Sequence, residues 1–288
     1  MKHIIDISAV FFRYYFAPGP VVINDDGYDV SALLSSLRWL LKPEFLLAES
    51  TICCFDESLG TGFRHELDPE YKANRPLPTD DIIYQLSALK LVCETLGFAV
   101  LASDELEADD LIATTIACYP SDPCVIHSRD KDLRQLLIEG RVTMQDVATN
   151  QIWTQKRLEE EVGLAPQQIP LYLAMVGDVS DNIPGVPGIG DKTALRLLQA
   201  YEDWPQIMDA VHSDDILPVR GSARIKQNIL EYQDRIVLNL KLTQLKVLKD
   251  QTLRFKVRTS DQIDELMAQC EVLGIAHRLK KPLQRLTS

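Results

Sequence analysis

The sequence offers little with which to hold a soft metal. Its six cysteines (Cys53, Cys54, Cys93, Cys118, Cys124 and Cys270) form no C-x-x-C pair, and its five histidines stand at no useful spacing to them or to each other. A zinc cluster is thereby excluded, and cysteines lying mostly in apolar runs read as buried thiols in a reducing, cytoplasmic compartment. No apolar run approaches the ~20 residues of a membrane helix. The opening MKHIIDISAVFFRYYFA resembles a secretory leader, but Asp6 and Arg13 interrupt it and no small-residue cleavage pattern follows, so it reads as a first strand and helix. There is neither an internal repeat nor a low-complexity segment, and 46% apolar with 25% charged residues is the composition of an ordinary globular protein of one large or two modest domains.

Positive charge is also scarce, since the net charge is −12. On its face that argues against a nucleic-acid partner. The charge is unevenly spread, however. Residues 1–130 carry 9 basic and 21 acidic side chains, whereas 131–288 carry 21 of each and 220–258 hold 10 basic against 3 acidic. The chain is acidic at one end and basic along one C-terminal stretch.

Short β-rich runs at 3–7, 51–56, 98–102, 124–128 and 141–146 alternate with amphipathic segments at about 31–47, 80–96, 108–118 and 131–138. That alternation predicts an α/β fold, a mostly parallel central sheet with helices on both faces. From about 156 helical patterns dominate, which suggests two regions, 1–155 and 156–288. The stretch after 246 alternates weakly, as an extended segment would, before a closing helix near 261–274.

Ligands of an open parallel sheet bind outside the carboxyl ends of its strands, and the acids gather there. Asp6 ends the first strand, Asp56 the second, and Asp130 with Asp132 follow the fourth; Glu107, Asp109 and Asp110 open the helix after the third. Asp178 and Asp181 join them from "MVGDVSDNIPG". A single Asp after a strand is ordinarily an N-cap or a turn residue. Acids repeated in five segments point to a cation instead. With no His or Cys companions, hard ions such as Mg²⁺ or Mn²⁺ are favoured, and nine carboxylates exceed the needs of one octahedral ion, so a pair of ions fits the count.

Two further segments complete the pattern. "FRHELDPEYKANRP" carries Arg64, Lys72 and Arg75 with Tyr71; these could be paired to the neighbouring Glu66, Asp68 and Glu70, or aimed at a transferring phosphoryl group beside the metals. "GVPGIGDKTALRLL" is no dinucleotide fingerprint, since its glycines run G-x-x-G-x-G without a preceding strand. It reads as a Gly-rich hairpin running into a helix, whose backbone N–H groups, with Lys192 and Thr193, can hold a phosphate; a plain turn between packed helices is the alternative.

Together "FRHELDPEYKANRP", "EADDLIA", "RDKDL" and "MVGDVSDNIPGVPGIGDKTALRLL" resemble the 5′-nuclease (flap endonuclease) family, and within it the 5′-3′ exonuclease domain of bacterial DNA polymerase I, along nearly all of the chain. The resemblance implies a PIN-like nuclease fold with a helical arch over about 71–97 and a helix-hairpin-helix variant over about 170–200. It implies a first metal at Asp6, Asp56, Glu107 and Asp109, a second at Asp130, Asp132 and Asp181, and auxiliary roles for Asp110 and Asp178. Lys72 and Arg75 match the basic pair at the base of the arch. Carbonyls near Val186 and Ile189 match a potassium site, and Gly185, Gly188 and Gly190 belong to the phosphate-gripping hairpin. "HIIDIS", "SRD", His65 and Asp68 depart from the family's usual residues without removing an expected metal ligand.

The expected activity is two-metal hydrolysis of DNA phosphodiester bonds to 5′-phosphate products in replication and repair. DNA with a free 5′ end, a flap or a single-strand/double-strand junction would be recognised by shape, held by Arg64, Tyr71, the hairpin, Arg220, Arg224 and Lys226. A non-catalytic junction-binding protein, a metal-dependent phosphatase and an RNA-directed nuclease are the rival readings, disfavoured by the complete set of acids or by a hairpin suited to duplex backbone. A soluble monomer is expected. A chain of 288 residues has no room for a polymerase, so it is expected to be a stand-alone nuclease or a piece of a longer protein.

Overall fold

Parallel strands buried on both faces need apolar residues pointing both ways, and the first strand supplies them as consecutive isoleucines. The computed structural model describes residues 1–58, 60–248 and 261–279, except for the side chains of 261–263. Its strands are β1 (Lys2–Asp6), β2 (Ser50–Asp56), β3 (Ala99–Ser103), β4 (Cys124–His127), β5 (Val142–Gln145) and β6 (Ile152–Trp153). Its helices are α1 (Ile7–Tyr15), α2 (Ser31–Leu40), α3 (Pro43–Leu46), α4 (Phe63–Leu67), α5 (Asp80–Thr95), α6 (Ala108–Cys118), α7 (Gln155–Glu161), α8 (Ile169–Val176), α9 (Asp191–Ala200), α10 (Trp204–His212), α11 (Ser222–Glu231), α12 (Gln233–Thr243) and α13 (Asp261–Val272).

The sheet runs β3-β2-β1-β4-β5-β6, with β1 to β5 parallel and the two-residue β6 antiparallel at the edge. On one face Ile4, Ile52, Cys54 and Ile126 pack with α6 and the C-terminal helices; on the other Ile5, Cys53 and Phe55 pack with residues of α1, α2, α5 and α13. The chain leaves β1 for β2 and β3 on one side and returns to β4 and β5 on the other. A crevice therefore opens between the carboxyl ends of β1 and β4, the place where such sheets bind ligands.

Four expectations change in detail. The helix expected at 31–47 breaks at Lys42, whose extended backbone (ψ 145°) is what a residue before proline adopts, and Pro43 starts α3. The segment 131–138 forms a 3₁₀ helix, Lys131–Leu136. The strands end at Trp153, near the expected boundary of 155, yet the core is continuous across it: Ile4, Ile126 and Met144 share one cluster with Leu171, Leu197, Ile229 and Ile236. The arch expected over 71–97 divides in two. α5 buries Ile82, Gln85, Leu89 and Val92 on the body, and 69–79 forms turns and irregular chain without a helix. The closing helix is α13, while residues 249–258 of the basic, weakly alternating stretch lie outside the described residues.

His127, at the end of β4, is 2% exposed, lies 2.9 Å from His3 ring to ring through Nδ1 and Nε2, and is walled by Phe45 and Trp39. Burial, with His3 and Lys42 nearby, pushes its pKa down to about 3. A base whose folded pKa lies below its unfolded value loses stability as pH falls through the unfolded value. The stability advantage of the natural protein over His127→Phe, from urea titrations, should therefore shrink by roughly 1–2 kcal/mol between pH 6.5 and 5.

Candidate active site

Each strand end delivers its acid through a local cap. Asp6 is the N-cap of α1, accepting from the Ala9 amide at 3.0 Å, and its second oxygen accepts from Ser128 Oγ at 2.7 Å. Asp56 accepts from Ser58 N and Oγ, and Asp130 caps the 3₁₀ helix by accepting from Asp132 N at 2.9 Å. Glu107 is the N-cap of α6, with Asp109 in its first turn. Asp178 and Asp181 come from the loop after α8, where Ser180 donates to Asp178 at 2.6 Å.

These acids feel one another. Burial pushes Asp6 up to about 6 and Asp132 up to about 8, with Asp130 adding to both; Asp109 is also raised, by burial and then by Asp130 and Asp6. Asp130 is raised by desolvation against the cleft wall, then by Asp181 and Asp178. Three others are turned to cations. Lys72 Nζ lies 2.7 Å from Glu107, Lys131 Nζ lies 2.9 Å from Asp178, and Arg75 pairs with Asp181. Burial works against charge on Glu107 and Asp178, but the partners outweigh it and both carboxyls sit below their usual range. Among the described residues no three of these groups converge into a finished coordination sphere. The donors are nevertheless all oxygen, and Asp132 Oδ1 is buried without a hydrogen-bond partner. Both features fit hard divalent cations held partly through water.

Two residues expected at the surface or on a metal lie inside. Asp110 is 0% exposed and Arg64 3% exposed, and they form a bidentate pair at 2.6 and 2.9 Å. Arg64 also donates to the Leu242 carbonyl, and Asp110 accepts from Lys246 N. The pair ties α4, α6 and the segment after α12 together. It removes Arg64 from reach of DNA and engages both oxygens of Asp110, while the same guanidinium also lies 3.6 Å from Glu107. Tyr71 is likewise buried, at 2% exposed, its hydroxyl donating between Glu107 (3.1 Å) and Asp181 (3.0 Å), so it braces the site rather than stacking on a base.

Lys72 and Arg75 enter from the turns at 69–75. Lys72 has φ of 54°, a left-handed conformation that costs an ordinary residue about 1–2 kcal/mol. Its amide donates to the Asp181 carbonyl and its carbonyl accepts from Arg75, both at 2.9 Å, so the surroundings impose the strain. Sequence reading missed Lys131, Ser58, Ser128 and Ser180 as site groups; Lys131 stands between two site acids in "RDKDL", a signal that was available.

The hairpin between α8 and α9 depends on a close backbone approach. A Cβ on Gly185 would lie 2.0 Å from the Val176 carbonyl oxygen, so only glycine fits the turn there. Val186 and Ile189 side chains are buried, and the Val186 carbonyl accepts from Ile189 N at 3.0 Å. Gly188 has φ of 80°, and open space surrounds Gly190, the N-cap of α9. Lys192, Arg220 and Arg224 are exposed, Thr193 is half-buried, and Lys226 is held by the Ser213 carbonyl at 2.6 Å. Asn228 of α11 donates to the Pro187 carbonyl, which brings that helix beside the hairpin.

Comparison with known proteins agrees with this layout. Residues 2–163 match the family model of the 5′-3′ exonuclease N-terminal resolvase-like domain, and 164–267 match that of the 5′-3′ exonuclease C-terminal SAM fold. The chain belongs to the 5′-3′ exonuclease family. Members of this family are metal-dependent DNA nucleases. A 5′-3′ exonuclease of Bacillus subtilis is 27% identical, covering 96% of this chain and 95% of that one. DNA polymerase I of Pseudomonas aeruginosa is 32% identical over 84% of this chain, which spans 27% of the polymerase's length. The fold is shared with the bacteriophage T5 flap endonuclease solved with DNA and metal ions (TM-score 0.67, 22% identity, 99% of this chain and 98% of that one).

Two outcomes separate the exonuclease's structural acids from its cleft acids. Asp110→Ala should cost about 3–5 kcal/mol in urea unfolding, equally with and without Mg²⁺, because it takes from the buried Arg64 its bidentate partner. Asp132→Asn should instead raise the metal-free stability by about 1 kcal/mol, because it removes a carboxylate that its neighbours and burial oppose.

Proposed function

We propose that this chain hydrolyses DNA phosphodiester bonds at or near a free 5′ end, a flap or a single-strand/double-strand junction, with two Mg²⁺ ions, replaceable by Mn²⁺, held by the cleft carboxylates. The observation that carries the reading is the entry of Lys72 and Arg75 into the same cleft as Asp6, Asp109, Asp130 and Asp132, placing phosphate-seeking cations beside oxygen donors for hard metals.

Asp6, Asp56, Glu107 and Asp109 would hold one ion, and Asp130, Asp132 and Asp181 the other, with Asp178 acting through water. When bound, the ions supply an acidified water and neutralise charge on the scissile phosphate. Lys72 and Arg75 leave their carboxylate partners for the phosphate oxygens and stabilise the charge that develops there. Tyr71 keeps Glu107 and Asp181 in place, and Ser128 and Ser180 orient Asp6 and Asp178. The N-terminus of α9 with Lys192 and Thr193, and exposed Arg220 and Arg224 beside it, would track the phosphates of the duplex arm without reading bases. A K⁺ ion at the hairpin carbonyls of Val186 and Ile189 would strengthen that grip. We place the enzyme in the cytoplasm as a monomer serving replication and repair. Its free thiols fit a reducing compartment, and no helix among the described residues is long and apolar enough to cross a membrane.

Incubation with Mg²⁺ and labelled 5′-flap DNA, single-stranded DNA and RNA should give metal-dependent cleavage of the flap substrate that Asp130→Ala abolishes. Absence of flap cleavage, or equal cleavage by Asp130→Ala, would overturn the proposal. Lys72→Ala should lower the single-turnover rate about 10²-fold with little change in DNA affinity, in line with the loss of one group aimed at transition-state charge. Despite the net charge of −12, DNA affinity measured by fluorescence anisotropy should fall linearly with salt on logarithmic axes.

A further inference from the structure

The turns that carry Lys72 are held from behind by an ion pair to which the chemistry above assigns no task. Asp68 is 7% exposed; its Oδ2 accepts from Arg235 Nη1 of α12 at 2.7 Å, and its Oδ1 accepts from the Glu70 amide at 3.0 Å. The Tyr71 amide closes the same turn on the Asp68 carbonyl. One carboxylate thus anchors the turn immediately before Lys72 to a helix of the C-terminal region.

That helix also holds the hairpin. Asn239, one turn beyond Arg235, is fully buried and donates to the carbonyls of Ala174 and Pro184 at 2.9 and 2.8 Å, at the end of α8 and the start of the hairpin. From the other side, 69–75 is fastened to the 178–182 loop: Asn74 donates to Val179 O, Arg75 Nε to Ser180 O, and Asn182 to Glu70 O. A cavity of ≈ 430 Å³ lies between these elements, lined by Asp68, Asn74, Asp178, Asn182 and Arg235 among others. Open space beside the turns means that packing alone does not fix them. The left-handed Lys72 needs an anchor, since a strained residue persists only where its surroundings over-determine it.

We propose that Asp68 and Arg235 are positioning residues: their ion pair is a strut through which α12, the helix that holds the DNA-binding hairpin, sets the placement of Lys72 and Arg75 in the cleft. Neither residue reaches the reacting atoms. The strut acts on the rate of the chemical step and leaves the grip on duplex DNA unchanged. This inference rests on the nuclease reading for its kinetic part, while the placement of the turns can be read without activity.

The test uses Asp68→Asn, which keeps an acceptor for the Glu70 amide and removes only the charge, together with Arg235→Gln, the double variant and Arg235→Lys. With Mg²⁺ and a 5′-flap duplex, each neutral single variant should cut about tenfold more slowly in single turnover, with its dissociation constant for the flap duplex within twofold. The double variant should be no slower than either single one, and Arg235→Lys should recover part of the rate. Without DNA, trypsin should cleave after Lys72 at least fivefold faster in Asp68→Asn than in the natural protein; Arg75 precedes Pro76 and resists the protease. Singles within twofold of the natural rate, effects that multiply in the double variant, equal losses of affinity, or unchanged proteolysis would each overturn the strut. If the natural protein cuts no flap DNA, the nuclease reading fails and the proteolysis result alone decides the strut.

Discussion

The structure turns on the mutual repulsion of carboxylates at the switch point of a parallel sheet. Asp6, Asp109, Asp130 and Asp132 are placed there by strand ends and caps that the fold itself requires, and each is raised above its ordinary pKa by desolvation and by neighbouring carboxylates. Such crowding is a cost to the folded state, of the kind that persists at sites with a function. The protein offsets it at three acids and leaves it standing at the others: Glu107, Asp178 and Asp181 have cations of the chain against them. The acids without such a partner are the part that a metal ion would complete.

The same cations explain why the turns at 69–75 are built with so many fastenings. Lys72 and Arg75 serve as counter-ions within the protein and, in the proposed reaction, as counter-ions to phosphate. A side chain with two such roles must be held in place through its backbone, because its tip has to be free to change partners. The bond from the Lys72 amide to the Asp181 carbonyl is a backbone fastening of that kind, and side-chain bonds from Asn74 to Val179 O and between Asp68 and Arg235 hold the turns around it. They also connect the cleft to the hairpin, whose close Gly185–Val176 approach fixes its shape.

Much of this was legible in the sequence. The alternation of β-rich runs and amphipathic segments sufficed for the sheet, and the position of each acid just after a strand sufficed for the crevice, because strand ends converge in a parallel sheet. Family resemblance added an expected grouping of the acids, which belongs to the proposed function. What stayed hidden depended on contacts between distant segments. Arg64 was open to pairing with Glu66, Asp68 or Glu70 nearby, yet its partners are Asp110 and, at longer range, Glu107, and nothing in local spacing reveals that. A signal existed in α6, whose residues apart from Asp109 and Asp110 are apolar or threonine. A helix buried all round forces one acid to find a partner inside. Adjacent Asp109 and Asp110 point about 100° apart on such a helix, one to the cleft and one to the body. Asp68, which departs from the family's usual residue, made sense only once Arg235 stood beside it. The split of 71–97 into turns and a packed helix depended on how α5 meets α2 and α13, which no periodicity specifies.

The most direct test of the central claim is to locate divalent ions by anomalous diffraction from crystals soaked in Mn²⁺. The account predicts two ions about 4 Å apart among Asp6, Asp109, Asp130 and Asp132, the separation of two-metal phosphoryl-transfer sites, with Lys72 displaced from Glu107. Crystals that show no ion in the crevice, or ions only at surface carboxylates away from β1 and β4, would contradict it.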